Sequence, residues 1–394
     1  MTLLERPSIF GETSHLTALV GELSQTWRGR ALEADRLARL PAKTIEDCRS
    51  NGLFSLCVPK RFGGMALHWD ELAELTLLAA KGCPATSWMI GLVGSHAAMI
   101  ARMNDLCQYD VFGASPHCLV ATASVQRHCD VIRKNGELVV SGMWSISSGV
   151  EFSDWVILYL RNSDLGQNPW LAVVPVEDVE IVDDWDVIGL RATASKSVKL
   201  SSVTVPAHRL MVQSECFDAD PPGAKLNPEA IHYAAPYLPF LSSAILNPVI
   251  GTTIGGLETA CDLLRSRYAR LAPDSAERVS LELAVAESQA ELRSAQFLMT
   301  SCLRILKSSE MRSVGTKGYE ACWVQLRRDK AYSVKLCTKA MGRLINSLGT
   351  LGLFAQTLPQ LYWRDLNAMS KHMDVHWSNM MRPSGQFTLE KAHV

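Results

Sequence analysis

The chain has 394 residues, 47% of them hydrophobic and 20% charged, and a formal net charge of -1 from 39 basic and 40 acidic side chains. That length and balance exclude a disordered chain and allow roughly two or three domains around a large core. The interspersed charges, with no basic block, exclude a nucleic-acid partner, and no uninterrupted apolar run of about 18 residues marks a membrane-spanning helix.

Cysteine usage adds a compartment. The 11 cysteines include no C-x-x-C pair, and no charged-then-apolar leader precedes the first helical pattern. Reduced thiols in a cytoplasmic protein without membrane attachment follow as the expectation.

Ser14 reads as the N-cap of a helix whose Leu16, Leu19, Val20, Leu23, Trp27 and Ala31 share one face. A second helix starts near Pro41 and stops at Asn51-Gly52, and the Pro and paired glycines of Phe54 to Gly64 then require a loop. Helical patterns resume from Trp69 to Lys81 and, with Pro84 in a first turn, from Ala85 to Arg102. Residues 1–118 thus form an N-terminal α domain.

From Leu119 the apolar period shortens. Runs at Leu119 to Val125, Leu138 to Ser141, Trp155 to Leu160, Trp170 to Val176 and Val198 to Val205 predict strands, with Asn135-Gly136 as a hairpin turn. Residues 119–213 form a central, β-barrel-like domain. Ala207 to Pro239 contains five prolines and reads as a connection over the surface. Four long helical patterns follow, at Leu241 to Ala272, Ala276 to Ser309, Lys317 to Leu348 and Pro359 to Trp377. Their lengths suit an antiparallel four-helix bundle over residues 214–394.

Within this α+β order one stretch stands out, Trp144-Ser-Ile-Ser-Ser-Gly149, where a hydroxyl-rich turn leads to the apolar strand after Ser153. Trp144 offers a flat aromatic face, Ser145, Ser147 and Ser148 offer small donors and acceptors, and Gly149 permits close approach. The set suits a flavin ring. It equally suits a serine turn that satisfies its own backbone.

Four motifs in order resolve that choice: Arg61-Phe-Gly-Gly64, the Trp144 to Gly149 turn with Asp154-Trp155 beyond it, Gly189-Leu-Arg191 before a strand ending Val205-Pro206, and Trp363-Arg-Asp365. Across nearly the whole chain they resemble the acyl-CoA dehydrogenase fold and, within it, the two-component flavin-dependent monooxygenases. The resemblance implies a homotetramer that binds reduced FAD or FMN from a separate flavin reductase, between the β domain and the bundle and partly against a neighbouring subunit. It implies a flavin hydroperoxide formed with O2 that oxygenates an aromatic or related small molecule. The Tyr-Glu-Gly-Thr-like turn that carries the base of many dehydrogenases is missing after Asp365, whereas a histidine stands at the position the monooxygenases use, His372. An enzyme that oxidises or oxygenates a CoA thioester, and a silent scaffold of the same fold, are the alternatives.

On the same resemblance, Ser147, or Ser148 one residue on, corresponds to the hydroxyl near flavin N5. His372 becomes the candidate general acid or base, with Asp365 seven positions earlier near the same helical face. His96 resembles a substrate-pocket histidine, against its reading as a satisfied core side chain. Trp88 and Met89 read as core or pocket wall. Thr122 and Ser124 lie on the β segment that contacts the flavin, and Arg267 and Arg270 are candidates for its phosphate or simple solvated arginines.

Other signatures fail. Gly251 to Gly256 follows no strand and lacks the Rossmann spacing. His372 and His376 have i,i+4 spacing but no acidic cluster, and the Glu-x-x-His patterns at Glu12 and Glu229 lie outside any helix that would pair them around metal. No metal site is expected.

Overall fold

Ser14 opens the first helix, its Oγ accepting the Thr17 N–H at 3.1 Å. The computed structural model describes residues 14–391 except 231, 232 and 234, so Glu12 and His232 of the two Glu-x-x-His patterns lie outside the described residues. Six helices come first: α1 (His15–Leu37), α2 (Ala42–Ser50), α3 (Trp69–Gly82), α4 (Pro84–Trp88), α5 (Ala97–Ala101) and α6 (Asp105–Phe112). Between α4 and α5 the backbone widens into a π-helical turn at Met89–Val93, breaking the single helix expected from Ala85 to Arg102. Such turns re-aim the side chains on either side of them, here Trp88 and His96.

Eight strands follow, β1 (Val120–Ala123), β2 (Val125–Lys134), β3 (Glu137–Ser147), β4 (Trp155–Leu160), β5 (Trp170–Pro175), β6 (Glu180–Val182), β7 (Lys196–Val205) and β8 (Leu210–Val212). They form two four-stranded sheets, β1-β4-β5-β8 and β2-β3-β7-β6, and the chain passes from one to the other at Ser124. Among the described residues only β1 and β4 pair in parallel. Leu138, Val140 and Trp144 on β3 point inward onto Val156 and Leu158 of the facing sheet, forming a core of their own. At the end of β3 the register slips between Trp144 and Ser147, and Ile146 takes a positive φ of 62° with its side chain out. This bulge sends Ser147 inward again.

The remaining helices are α7 (Gln213–Phe217), α8 (Tyr237–Ser243), α9 (Leu246–Tyr268), α10 (Ala276–Lys307), α11 (Lys317–Ser347), α12 (Leu358–Met369) and α13 (Trp377–Lys391). α10 and α11 pack along each other, and α9 lies between them and α3, continuing the N-terminal core into the bundle. The stretch Tyr237–Tyr268 is long and apolar enough to cross a membrane by length and composition, yet 94% of its most apolar window is buried inside the protein. It is a core segment. The eleven cysteines are free thiols, nine of them buried.

The largest departure is in the last expected helix. α12 ends at Met369, and the main chain turns through residues 370–376 before α13 begins. His372 therefore stands on a turn rather than on the helix of Asp365, and His372 and His376 do not share a helical face.

Candidate active site

Three parts of the chain meet around Trp88. Its indole Nε1–H donates to Ser148 Oγ at 3.2 Å, and its ring meets the His372 ring edge-on with centroids 5.8 Å apart. From Ser148 a file of hydroxyls runs inward: Ser148 to Ser195 at 2.8 Å, Ser195 to Thr193 at 2.7 Å, and Thr193 Oγ1–H to the Leu190 carbonyl at 2.8 Å. The file holds the serine turn in one orientation and leaves Ser148 half-buried.

His96 stands just past the π turn, 3% exposed, with Nδ1 2.9 Å from the Val120 carbonyl and Nε2 3.3 Å from Thr122 Oγ1. A carbonyl only accepts, so Nδ1 carries the proton and Nε2 takes the Thr122 hydroxyl. Burial, with nearby His372, lowers its pKa to about 4, so the imidazole stays neutral at physiological pH.

Besides its edge-on packing against Trp88, the His372 ring meets Asp374. The Asp374 amide N–H points at Nδ1 from 3.3 Å, and the Asp374 carboxylate Oδ2 lies 3.6 Å from the same nitrogen. One residue thus offers both a donor and an acceptor to Nδ1, so either tautomer finds a partner and Nε2 can carry the proton or the lone pair. Partial withdrawal from water lowers the pKa of His372, opposed by the Asp374 carboxylate and assisted by the Lys330 ammonium. Burial thus favours the neutral form of the ring.

The family-like motifs themselves are mostly clamps. Arg61 gives its Nη1–H to Asp105 at 2.6 Å, its Nη2–H to Gln108 at 2.7 Å and its Nε–H to Asn227 at 3.0 Å, binding the glycine loop to the long connection. Leu190 donates its N–H to Asp365 at 2.6 Å, while Arg364 reaches Asp35 at 2.8 Å and the Ile188 carbonyl at 2.9 Å. Gly189 sits so close to α12 that a Cβ there would lie 2.2 Å from the Arg364 carbonyl oxygen. Sheet region, α1 and α12 are locked at this point. Burial raises the Asp365 pKa to about 7.

Of the residues singled out in the sequence, His96, Thr122, Ser148 and His372 are brought together. Trp144 is not available to a cofactor: it is fully buried in the β core with its Nε1–H on the Tyr159 carbonyl at 2.8 Å, because strand alternation turns it inward. Ser147 is also fully buried, and its hydroxyl has no hydrogen-bond partner. The bulge at Ile146 leaves Ser148, one residue on, as the hydroxyl that joins Trp88. Ser124 lies at the crossing between sheets, where its backbone carbonyl accepts the Arg161 Nη1–H at 2.8 Å. Arg270 is exposed just past α9, its N–H closing a turn onto Arg267, and Arg267 pairs with Glu277 at 2.5 Å. Neither arginine joins this cluster.

Residues 243–377 match the family model described as the C-terminal domain of acyl-CoA dehydrogenases. The chain is 28% identical over 388 residues to the oxygenase component of the FADH2-dependent resorcinol hydroxylase of Rhizobium sp. (strain MTP-10005), covering 95% of this chain and 94% of that one. Its backbone superimposes on the crystal structure of 3-HSA hydroxylase from Rhodococcus sp. RHA1 with a TM-score of 0.87 at 22% identity, over 96% of this chain and 97% of the other. The chain has the acyl-CoA dehydrogenase fold. A second structure of this fold, XiaF from Streptomyces sp. in complex with FADH2 and glycerol, matches with a TM-score of 0.83 at 20% identity over 95% of both chains. Relatives that align along the chain are oxygenase components of flavin-dependent monooxygenases.

On this acyl-CoA dehydrogenase scaffold, four members of the cluster carry little or no signal in the sequence, Thr193 among them. Ser195 had no signal beyond being one serine among several. Asp374 was hidden by the helix expected through Trp377. Lys330 did leave a trace, since it falls four residues after Leu326 and four before Val334, on the buried stripe of α11.

Proposed function

We propose that the chain is the oxygenase component of a two-component monooxygenase, taking reduced FAD or FMN from a separate reductase and placing one oxygen atom of O2 into a phenolic or related small aromatic molecule. The observation that carries this reading is the convergence of two imidazoles and two hydroxyls from three parts of the chain: His372 edge-on against the Trp88 ring that bonds Ser148, and His96 bonded to Thr122. Its support beyond this chain is the alignment with an FADH2-dependent resorcinol hydroxylase component from end to end.

The residues fit a flavin. The partly exposed hydroxyls of Thr122 and Ser148 can face the alternating donors and acceptors of its ring edge, with the Trp88 indole fixing one of them. When bound, the reduced flavin supplies the two electrons that activate O2; one oxygen atom enters the aromatic ring and the other leaves as water. The protein does the rest. His372 takes or returns the proton of a substrate hydroxyl at Nε2, Nδ1 staying on residue 374, and His96, locked in one tautomer, holds the Thr122 hydroxyl in place. The buried Trp88 ring against His372 shields that side from water.

The reading extends to assembly and location. α10 exposes Val279, Leu283 and Phe297, the last two at 65% and 62%, an apolar line suited to another copy in a homotetramer, with Arg270 left free to meet a flavin phosphate there. Eleven free thiols support a cytoplasmic setting.

Reduced flavin and protein, mixed anaerobically and then given isotopically labelled O2 with resorcinol-like phenols, should yield product carrying one labelled atom. Flavin oxidation without label in any product would sink the reading, and thioester-dependent bleaching of oxidised flavin without O2 uptake would favour a dehydrogenase.

A further inference from the structure

Thr193 and Ser195 are buried, and their hydroxyls form a single file that surfaces at Ser148. The inner end fixes the direction of that file. Thr193 Oγ1–H lies 2.8 Å from the Leu190 carbonyl oxygen, which only accepts and which also takes the Thr193 N–H at 3.1 Å and the Trp185 Nε1–H at 3.3 Å. A hydroxyl has one proton to give. Since Thr193 gives its own to Leu190, the 2.7 Å contact between Thr193 and Ser195 carries the Ser195 proton, and the 2.8 Å contact between Ser195 and Ser148 carries the Ser148 proton.

At the outer end, 3.2 Å away, the Ser148 oxygen meets the Trp88 indole Nε1–H, which can only donate. Ser148 is thereby left with no proton to give and one lone pair open. It is half-buried, so this lone pair is what it offers to a bound molecule. A freely rotating hydroxyl would serve as donor and acceptor alike, whereas this one is held as an acceptor.

The two redox states of a flavin differ toward such a partner. The ring N3–H is present in both, but N5 carries a hydrogen in the reduced ring and only a lone pair in the oxidised one. We infer that the file from Thr193 through Ser195 makes Ser148 the acceptor of the reduced N5–H, and so selects reduced over oxidised flavin. Thr193 and Ser195 are then positioning residues that act through Ser148. The inference rests on the proposed flavin site beside Ser148. Oxidised flavin would set two lone pairs against each other there, a cost that a hydroxyl free to turn avoids. Such a preference admits flavin from a reductase and lets the oxidised form leave.

The test needs binding and no turnover. Equilibrium dialysis of the full-length protein against oxidised FAD or FMN, and against the dithionite-reduced forms without oxygen, gives two dissociation constants and their ratio. The parent should hold the reduced form more tightly. Thr193→Val lets the file reverse, and Ser195→Ala removes the acceptor of Ser148. Either change gives Ser148 a proton to donate, so oxidised flavin should bind roughly three- to tenfold more tightly, the worth of about one hydrogen bond, with reduced affinity little changed. Thr193→Ser should keep the parent ratio. A file that merely braces the serine turn would instead lose affinity for both forms together. A parent that binds both forms equally, a ratio unmoved in the folded variants, as contact with N3–H would give, or a Thr193→Ser protein that behaves like Thr193→Val overturns the inference and leaves the flavin reading intact. Should one variant fail to fold, the other and the parent's own ratio decide. A parent that binds flavin in neither state removes the flavin reading itself, and the inference with it.

Discussion

The Trp88 indole and the Ser148 hydroxyl meet at 3.2 Å, and this contact joins the end of a short helix in the N-terminal domain to the serine turn of the sheet region. Ser148 also holds Ser195, so its replacement frees two partners at once. Ser148→Ala should weaken reduced-flavin binding roughly three- to tenfold, the worth of about one hydrogen bond, while leaving the circular dichroism spectrum unchanged. Equilibrium dialysis under anaerobic conditions measures it, and unaltered affinity would remove Ser148 from the cofactor contacts.

The adjacent serine should behave in the opposite way. Ser147 buries a hydroxyl without a partner, a cost that alanine removes. Ser147→Ala is expected to leave flavin affinity alone and to gain up to about 1 kcal/mol in urea unfolding. A loss of flavin affinity in this variant would move the contact back by one residue and overturn the register read from the bulge at Ile146.

His96 gives a dependence on acid. Its folded pKa of about 4 lies below the ordinary 6.5, so the unfolded chain binds the extra proton first. Its contribution to stability is complete above pH 6.5 and declines as pH falls toward 4. In His96→Asn the side-chain amide can still donate to the Val120 carbonyl but cannot titrate, so the stability lost between pH 7 and pH 5 should be smaller than in the parent. Thermal melts at the two pH values make the comparison, and equal losses would mean that His96 is charged in the folded protein.

Asp365 has the reverse sign. A carboxyl whose folded pKa is raised from 3.8 to about 7 favours folding while protonated, so stability drains away as pH climbs through that window and is then constant. Asp365→Asn can still accept the Leu190 N–H without ionising. Its melting temperature, relative to the parent, should therefore improve more at pH 8 than at pH 5.

Gly189 tests the clamp sterically. A methyl group there would be 2.2 Å from the Arg364 carbonyl oxygen, and neither main chain can retreat without loosening the Asp365 and Arg364 contacts. Gly189→Ala should cost about 1–3 kcal/mol and speed limited proteolysis between the sheet region and α12. Unchanged cleavage would show that the contact yields easily.

The α-β-α order and the long helices of the bundle were legible because apolar spacing alone defines them. Strands were harder: β6 and β8 are three residues each, too short for alternation to register. Trp144 was misjudged because a sequence does not say which face of a strand meets the other sheet. His372 was found for its identity but placed on a helix, since nothing in Ser370 to Val375 punctuates the pattern as a proline or glycine would. The motifs were informative about fold for a reason visible only in space: Arg61, Gly189, Arg364 and Asp365 join segments far apart in sequence.

The break after Met369 has one more consequence. A histidine in mid-helix would be fixed within the helical ladder, whereas His372 rides on a short bend between α12 and α13, bonded to Met369 and Val375. Its position is then inherited from how the final helix is moored, by the Arg327 bond to the Asn379 carbonyl and by Lys335 lying 4.4 Å over the Trp377 ring. The last fifteen helical residues act as the tether that sets the aim of the His372 ring.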